Sequence, residues 1–593
     1  MISCRVNKVL PLLLSAGLAV SALPAGAEPQ PAHEAPAAGA PMPLLSEPPA
    51  PIVIESEQHK AVEKERPRPA GRAVSGVEVQ ELKAPDANAV GVLDDKHGGF
   101  GVDMWQGTSM ATVRRLLPQL PVAIQSPSVH GLMRRLLLTA AGVPQGNGAD
   151  GPSLLQLRAQ ALWAMGDADG VAALLKAAPD SLRTPELNQL KVDALLLSGD
   201  TAGACREAGP AAEPRLQILC HMVSGRTLEG NLALDLMRER KDADKAFIAA
   251  AEVLGGLAPV KVDRLPNAQP VHLAAFKAAK MALPADVANA ANPAVLRAVA
   301  ASEAPIEVRI AAAEKAEAMG ALDTEALRQL YGSVAFTPAD LQSPLAPAAG
   351  DKGARTRALM FRAAQSELKP QARAEIVTRA FELAASRGTY GTAARLYAPL
   401  LAELRPDGVP PAFGPVAARA LFAAGQADAA ARWMALAASA PEEAKAYAAL
   451  WPLARLSRGE SDKPTPAAVF DAWRTARELP PDQAERRTAV VLGVLAAVGE
   501  RVPAAEWLTA LDGPLYTAGQ PQPRAALKAL LRAAVDGLQL GETVLVSAVS
   551  LGDAGLDKAD PDTIARVVAA LHLLGLDKEA RALAIEAAVA NGV

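Results

Sequence analysis

Apolar residues recur along most of this chain at the three- and four-residue spacing of helices, and a glycine interrupts them at intervals. The clearest windows are ALWAMGDADGV at Gly166, ALLLSGDTAGA at Gly199, ALFAAGQADAA at Gly425 and LHLLGLDKEA at Gly575. In each, an apolar helix runs up to the glycine and a second helix begins within a few residues. The pattern predicts antiparallel helical hairpins stacked in series. Period-two runs rich in Val, Ile, Thr and aromatics, which strands would need, are not found.

The pattern divides the chain. Arg5 and Lys8 precede an apolar run from Val9 to Leu23, and Ala25-Gly26-Ala27 follows, which is the form of a cleaved signal peptide over 1–27. A retained N-terminal anchor is the alternative, although Pro11 and the shortness of the run disfavour a membrane span. Cys4 lies before the apolar run, so it is not the lipid-bearing cysteine that follows a signal peptide. Residues 28–90 are rich in Pro, Ala and mixed charge with almost nothing to bury, and read as a disordered tether. Residues 91–145 read as a Gly-rich entry, with Trp105 and two arginine-bearing helices forming a capping hairpin over the first open face of the repeats. Helical repeats are expected over 146–256 and again over 346–593. Between them, 257–345 is punctuated by Pro284, Pro293 and Pro305, and a joint between two repeat segments is expected at 336–355.

Taking the turn glycines Gly166, Gly199, Gly388, Gly425, Gly499 and Gly575 as reference, the residue five later is Val171, Ala204, Ala393, Ala430, Ala504 or Ala580. Leu195, Leu421, Leu495 and Leu571 stand four before their glycines, and Leu175, Tyr397, Met434 and Leu508 stand nine after. Gly166 to Gly199 is 33 residues and Gly425 to Gly459 is 34, loosening to 37, 40 and 42 at Gly388–Gly425, Gly459–Gly499 and Gly499–Gly541. This resembles the tetratricopeptide family over about half the chain. Departures are the missing consensus aromatics and Pro464 in the small-residue place after Gly459. The resemblance implies an all-α fold, a right-handed α-solenoid of antiparallel helical hairpins; generic Ala-rich hairpins are the alternative.

Composition fits that class. Of 593 residues 50% are hydrophobic but only 3% aromatic, and alanine supplies much of the apolar content, which favours close helix crossings. A length far beyond a single core, about 250–300 residues, suits stacked repeats. The net charge of −4 gives no argument for nucleic acid or an anionic membrane. After signal cleavage two cysteines remain, Cys205 and Cys220, on either side of the helix-breaking stretch Gly209 to Pro214. In an oxidising compartment they predict a disulfide; the alternative is two buried free thiols.

Candidate chemistry is sparse. Gly107-Thr108-Ser109-Met110-Ala111 matches the pentapeptide around the nucleophile of subtilisin-like proteases, but only about 80 mature residues precede Ser109. Arg114 and its neighbours also replace the usual Pro-His. His59 and His97 lie in tether or loop sequence, so Thr108 or Ser109 is read as a helix N-cap. Gly131-Leu132-Met133 is similar to a segment of lytic transglycosylases, yet no glutamate occurs between Glu81 and Glu186 to serve as its acid. The seven histidines show no metal-ligand spacing, and Gly98-Gly99-Phe100-Gly101 lacks the ending of a phosphate loop. The pairs Arg114-Arg115 and Arg134-Arg135 read as solvated helix faces, with anion binding as the alternative. No catalytic, cofactor or metal residue is assigned. The expectation is an exported, periplasmic, non-catalytic protein binding one or more envelope proteins as scaffold or adaptor. A peptidoglycan-hydrolase relative and a chaperone-like protein are the alternatives.

Overall fold

A computed structural model describes residues 86–146, 151–209, 212–240, 244–348, 353–459, 464–511 and 522–593, all within one compact unit, Leu82–Val593. The expected signal peptide and the tether up to residue 85 lie outside the described residues. All the regular secondary structure of the described residues is helical, with no strand beyond two isolated bridges at Leu93–Thr139 and Ser109–Gln145. Among them, no helix is long and apolar enough to cross a membrane.

Proline starts these helices more often than it stops them. Pro127, Pro185, Pro293 and Pro561 each occupy the first turn of a helix, where the missing N–H is no loss. Side-chain caps complete several starts: Ser126 accepts from Val129 N, Thr184 from Leu187 N and Asp560 from Thr563 N.

Neighbouring helices pack as pairs, among them Pro185–Ser198 with Thr201–Ala208, Phe413–Ala423 with Ala427–Met434, and Pro561–Leu573 with Asp577–Ala590. Contacts also run between helices far apart in sequence. Pro481–Ala497 lies along Pro561–Leu573, and Asp577–Ala590 touches Phe413–Ala423 and Trp451–Leu456. That last helix buries Ala580, Leu583, Ala584, Ala587 and Ala588, and its small side chains let several neighbours approach. The few aromatics are concentrated rather than spread. Phe361 stands edge-on to both Tyr331 and Tyr397, at 5.7 and 5.3 Å between ring centroids.

Three boundaries differ from those expected. Asp86 to Val90, assigned to the tether, are held on the body: the Val90 carbonyl accepts from Arg158 Nη1 at 2.5 Å and that of Ala89 from Ala141 N at 3.2 Å. The joint expected at 336–355 is not where the core divides. Tyr331 and Val334 already share one apolar core with residues 358–593 and with 104–187, whereas 192–321 bury a second core. The division runs through three shared helices, Pro185–Ser198, Pro293–Ala300 and Ile306–Ala318, and the last shows how: Ile310 and Ala313 enter the first core, Ala312 and Ala316 the second. A helix apolar on opposite faces carries no loop signal, so the Pro- and Ala-rich stretch drew the boundary instead. Finally, Met110–Leu116 and Pro127–Leu138 do not form a hairpin capping only the first repeats, because their partners include Leu540–Leu551 and Asp577–Ala590 near the other end of the chain.

Candidate functional site

The turn glycines are helix C-caps. Gly166, Gly199, Gly388, Gly425, Gly499 and Gly575 have φ of +83°, +87°, +71°, +73°, +86° and +76°, the left-handed region that costs glycine nothing. The N–H after the glycine reaches back to the carbonyl four before it: Asp200 to Leu195, Gln426 to Leu421, Glu500 to Leu495 and Leu576 to Leu571, at 2.8–3.0 Å. The recurrent leucine is therefore the acceptor end of a Schellman turn. In two copies one residue serves both helices. Asp167 and Asp200 follow their glycines and then cap the next helix, accepting from Gly170 N and Gly203 N at 2.8 Å. Of the residues five after the glycine, Val171, Ala204, Ala430 and Ala580 are fully buried, Ala393 partly so, and Ala504 is exposed.

Two interval markers do not hold. Gly541 lies inside the Leu540–Leu551 helix, and Gly459 does not adopt positive φ. The intervals of 34, 40 and 42 residues built on them are therefore not turn-to-turn distances. Gly225, Gly256 and Gly320 do cap helices in the same way, with φ of +79°, +101° and +69°. Gly225 was detectable, since Gly230 stands five later as a small buried residue, but the leucine four before is replaced by His221.

Cys205 and Cys220 are bonded, with Cα atoms 5.6 Å apart, and tie Thr201–Ala208 to Pro214–Val223. Ser109 is the N-cap of Met110–Leu116, its Oγ accepting from Thr112 N at 3.0 Å. The paired arginines are engaged in part: Arg134 donates to Asp167 at 2.7 Å, Arg135 to Glu579 at 2.6 Å, and Arg135 lies 4.2 Å over the Phe100 ring. Among the described residues no group of three His, Cys, Asp or Glu side chains could hold a metal.

The structure assembles a junction that the pattern did not reveal. Gly541 N donates to Met104 O and Gln539 Nε2 to Gly107 O, each at 2.9 Å. Ala123 N donates to Asp553 Oδ1 at 3.0 Å. Glu586, near the end of the chain, sits at the N-terminus of Pro127–Leu138. It accepts from Ser128 N at 3.0 Å, from Ser128 Oγ at 2.7 Å and from Ser126 Oγ. A carboxylate there meets exposed N–H groups and the positive end of the helix. Burial nonetheless pushes its carboxyl up, against the pull of the two serines. The helix carrying Gly131-Leu132-Met133 thus acquires a glutamate from 460 positions away, but one engaged by three donors.

Beside this junction is a cavity of about 550 Å³, lined from 123–127, 385–395, 553–557 and 586–590. On one wall Arg395 grips Glu317 through Nε and Nη2 at 2.7 and 2.8 Å, with Thr392 donating to the same carboxylate at 2.6 Å. Burial alone would raise Glu317, yet Arg395, Thr392 and Thr324, which donates to it at 2.7 Å, outweigh it and hold the carboxyl below its ordinary value. Arg419 lies 4.1 Å over the Tyr390 ring and donates to Val593 O at 2.7 Å, while burial raises the Tyr390 hydroxyl.

Comparison with family models, with curated proteins and with solved structures finds no match. The class is therefore defined by the molecule itself: an all-helical protein built of neighbouring helix pairs.

Proposed function

We propose that this chain is an exported, tetratricopeptide-like α-solenoid that binds another envelope protein as a non-catalytic scaffold or adaptor. The observation that carries the reading is an apolar stripe on the Thr227–Arg238 helix. Leu228, Leu232 and Leu236, one turn apart, are 86%, 66% and 59% exposed. Three leucines on one helical face left to water are costly unless a partner covers them, at about 1.5–3 kcal/mol per buried side chain. Leu257 and Val260, also exposed, add to the apolar surface of the same core segment. The disulfide fits an oxidising compartment, and extended surface is what helical repeats offer.

The test is crosslinking in native envelopes with wild type and a Leu228→Ser, Leu232→Ser, Leu236→Ser variant. Wild type should recover a discrete partner that the variant loses while its circular dichroism and melting stay unchanged. Recovery of wild type as a lone monomer, or of the same partner by both proteins, would overturn the reading. Suppression of aggregation of unrelated unfolded clients would favour the chaperone-like alternative instead.

A further inference from the structure

We propose that the cavity between 123–127, 385–395 and 553–557 binds a short peptide with free ends, its carboxylate at Arg387 and its ammonium at Asp553 and Asp557. Three of the charges lining the cavity are already engaged. Arg395 is neutralised by Glu317, Arg419 is spent on the Tyr390 ring and the Val593 carbonyl, and Glu586 is occupied by Ser126 and Ser128.

Three charges remain. The Arg387 guanidinium lines the cavity and forms no ion pair or hydrogen bond among the described residues. Asp553 accepts the Ala123 N–H through Oδ1 alone, leaving Oδ2 free. Asp557 meets its exposed neighbour Lys558 at 3.6 Å and feels the charge of Arg486, with no side-chain hydrogen bond to either among the described residues. Charges of opposite sign therefore share one cavity without closing on each other.

A purely anionic ligand would be drawn to Arg387 and repelled by the aspartates, and a purely cationic one the reverse. A dipolar ligand satisfies both. The rest of the lining is mixed, with small apolar residues such as Ala385, Ala423 and Ala590 beside the polar Gln125, Thr389 and Tyr390. The volume, about 550 Å³, falls within the range of small-molecule sites. The inference goes beyond the scaffold reading and does not depend on it, since it concerns the purified chain and different residues.

Calorimetric titration of the full chain with tri-alanine, N-acetyl-tri-alanine and tri-alanine amide tests it. Tri-alanine should bind saturably, and each blocked peptide should bind at least about tenfold more weakly, the loss of one charge-assisted hydrogen bond. Arg387→Gln should weaken tri-alanine and abolish the discrimination against the amide. Asp553→Asn with Asp557→Asn should abolish the discrimination against the acetylated peptide. Absence of saturable heat with tri-alanine, equal affinity for the blocked peptides, or wild-type binding by a folded Arg387→Gln protein would overturn the proposal.

Discussion

At the residue scale the left-handed position after a helix is chemically selective. Leu538 and Lys280 occupy it at φ +52°, with Gln539 N bonding Ala534 O and Met281 N bonding Phe276 O as in the glycine copies. A side chain there is strained by about 1–2 kcal/mol, of which the greater freedom of unfolded glycine returns part. Leu538→Gly and Lys280→Gly should each stabilise the fold by about 0.5–1 kcal/mol in urea unfolding. The reverse change separates conformation from contact. Gly425 has open space around an added Cβ, whereas at Gly166 that atom would lie 2.6 Å from Pro293 Cβ and 2.8 Å from Ala294 N. Gly425→Ala should cost about 1 kcal/mol and Gly166→Ala at least about 2, measured in the same way.

At the element scale the short helices around 185–223 depend on a crosslink and carry a misplaced charge. Replacing Cys205 and Cys220 by serine should destabilise the protein by about 3 kcal/mol and speed hydrogen exchange first in Thr201–Ala208 and Pro214–Val223. On Pro185–Ser198, burial pushes the Asp193 carboxyl up to about 6 despite a hydrogen bond from Gln189. A raised carboxyl favours folding below the ordinary carboxyl value, about 4, and that contribution is lost as the pH rises through about 6. Asp193→Asn should therefore match wild type near pH 4 and exceed it by about 1–2 kcal/mol at pH 7.5, read from urea midpoints. Elements of this kind were legible beforehand because their signals are local. Glycine, leucine four before and a small residue five after lie within three turns, and Pro with a preceding Ser or Thr marks a start.

At the scale of the whole molecule, helices from near the two ends of the described chain meet, Pro127–Leu138 touching both Leu540–Leu551 and Asp577–Ala590. Gly541 shows why a glycine can mislead there. It stands in a helix, and an added Cβ would lie 2.7 Å from Met104 O and 2.9 Å from the Trp105 ring, so its absent side chain serves close approach rather than a turn. Gly541→Val should lower the melting temperature and raise hydrogen exchange at Met104 to Thr108, leaving the core of 192–321 protected. Equal protection at both places would show that the junction contributes nothing.

The sequence alone determined helices, their caps and, among the described residues, the absence of strands, because each is set by neighbours a few residues away. It also placed the two cysteines in helices flanking one short break. What only the tertiary structure decided is the junction and its cavity. Ser126 meets Glu586 across 460 positions, and Arg387 shares a cavity with Asp553 and Asp557. No periodicity links such residues, since their meeting depends on how every intervening helix pair turns the chain. The same holds for the division of the core, which passes through helices apolar on two faces and so leaves no break in the pattern.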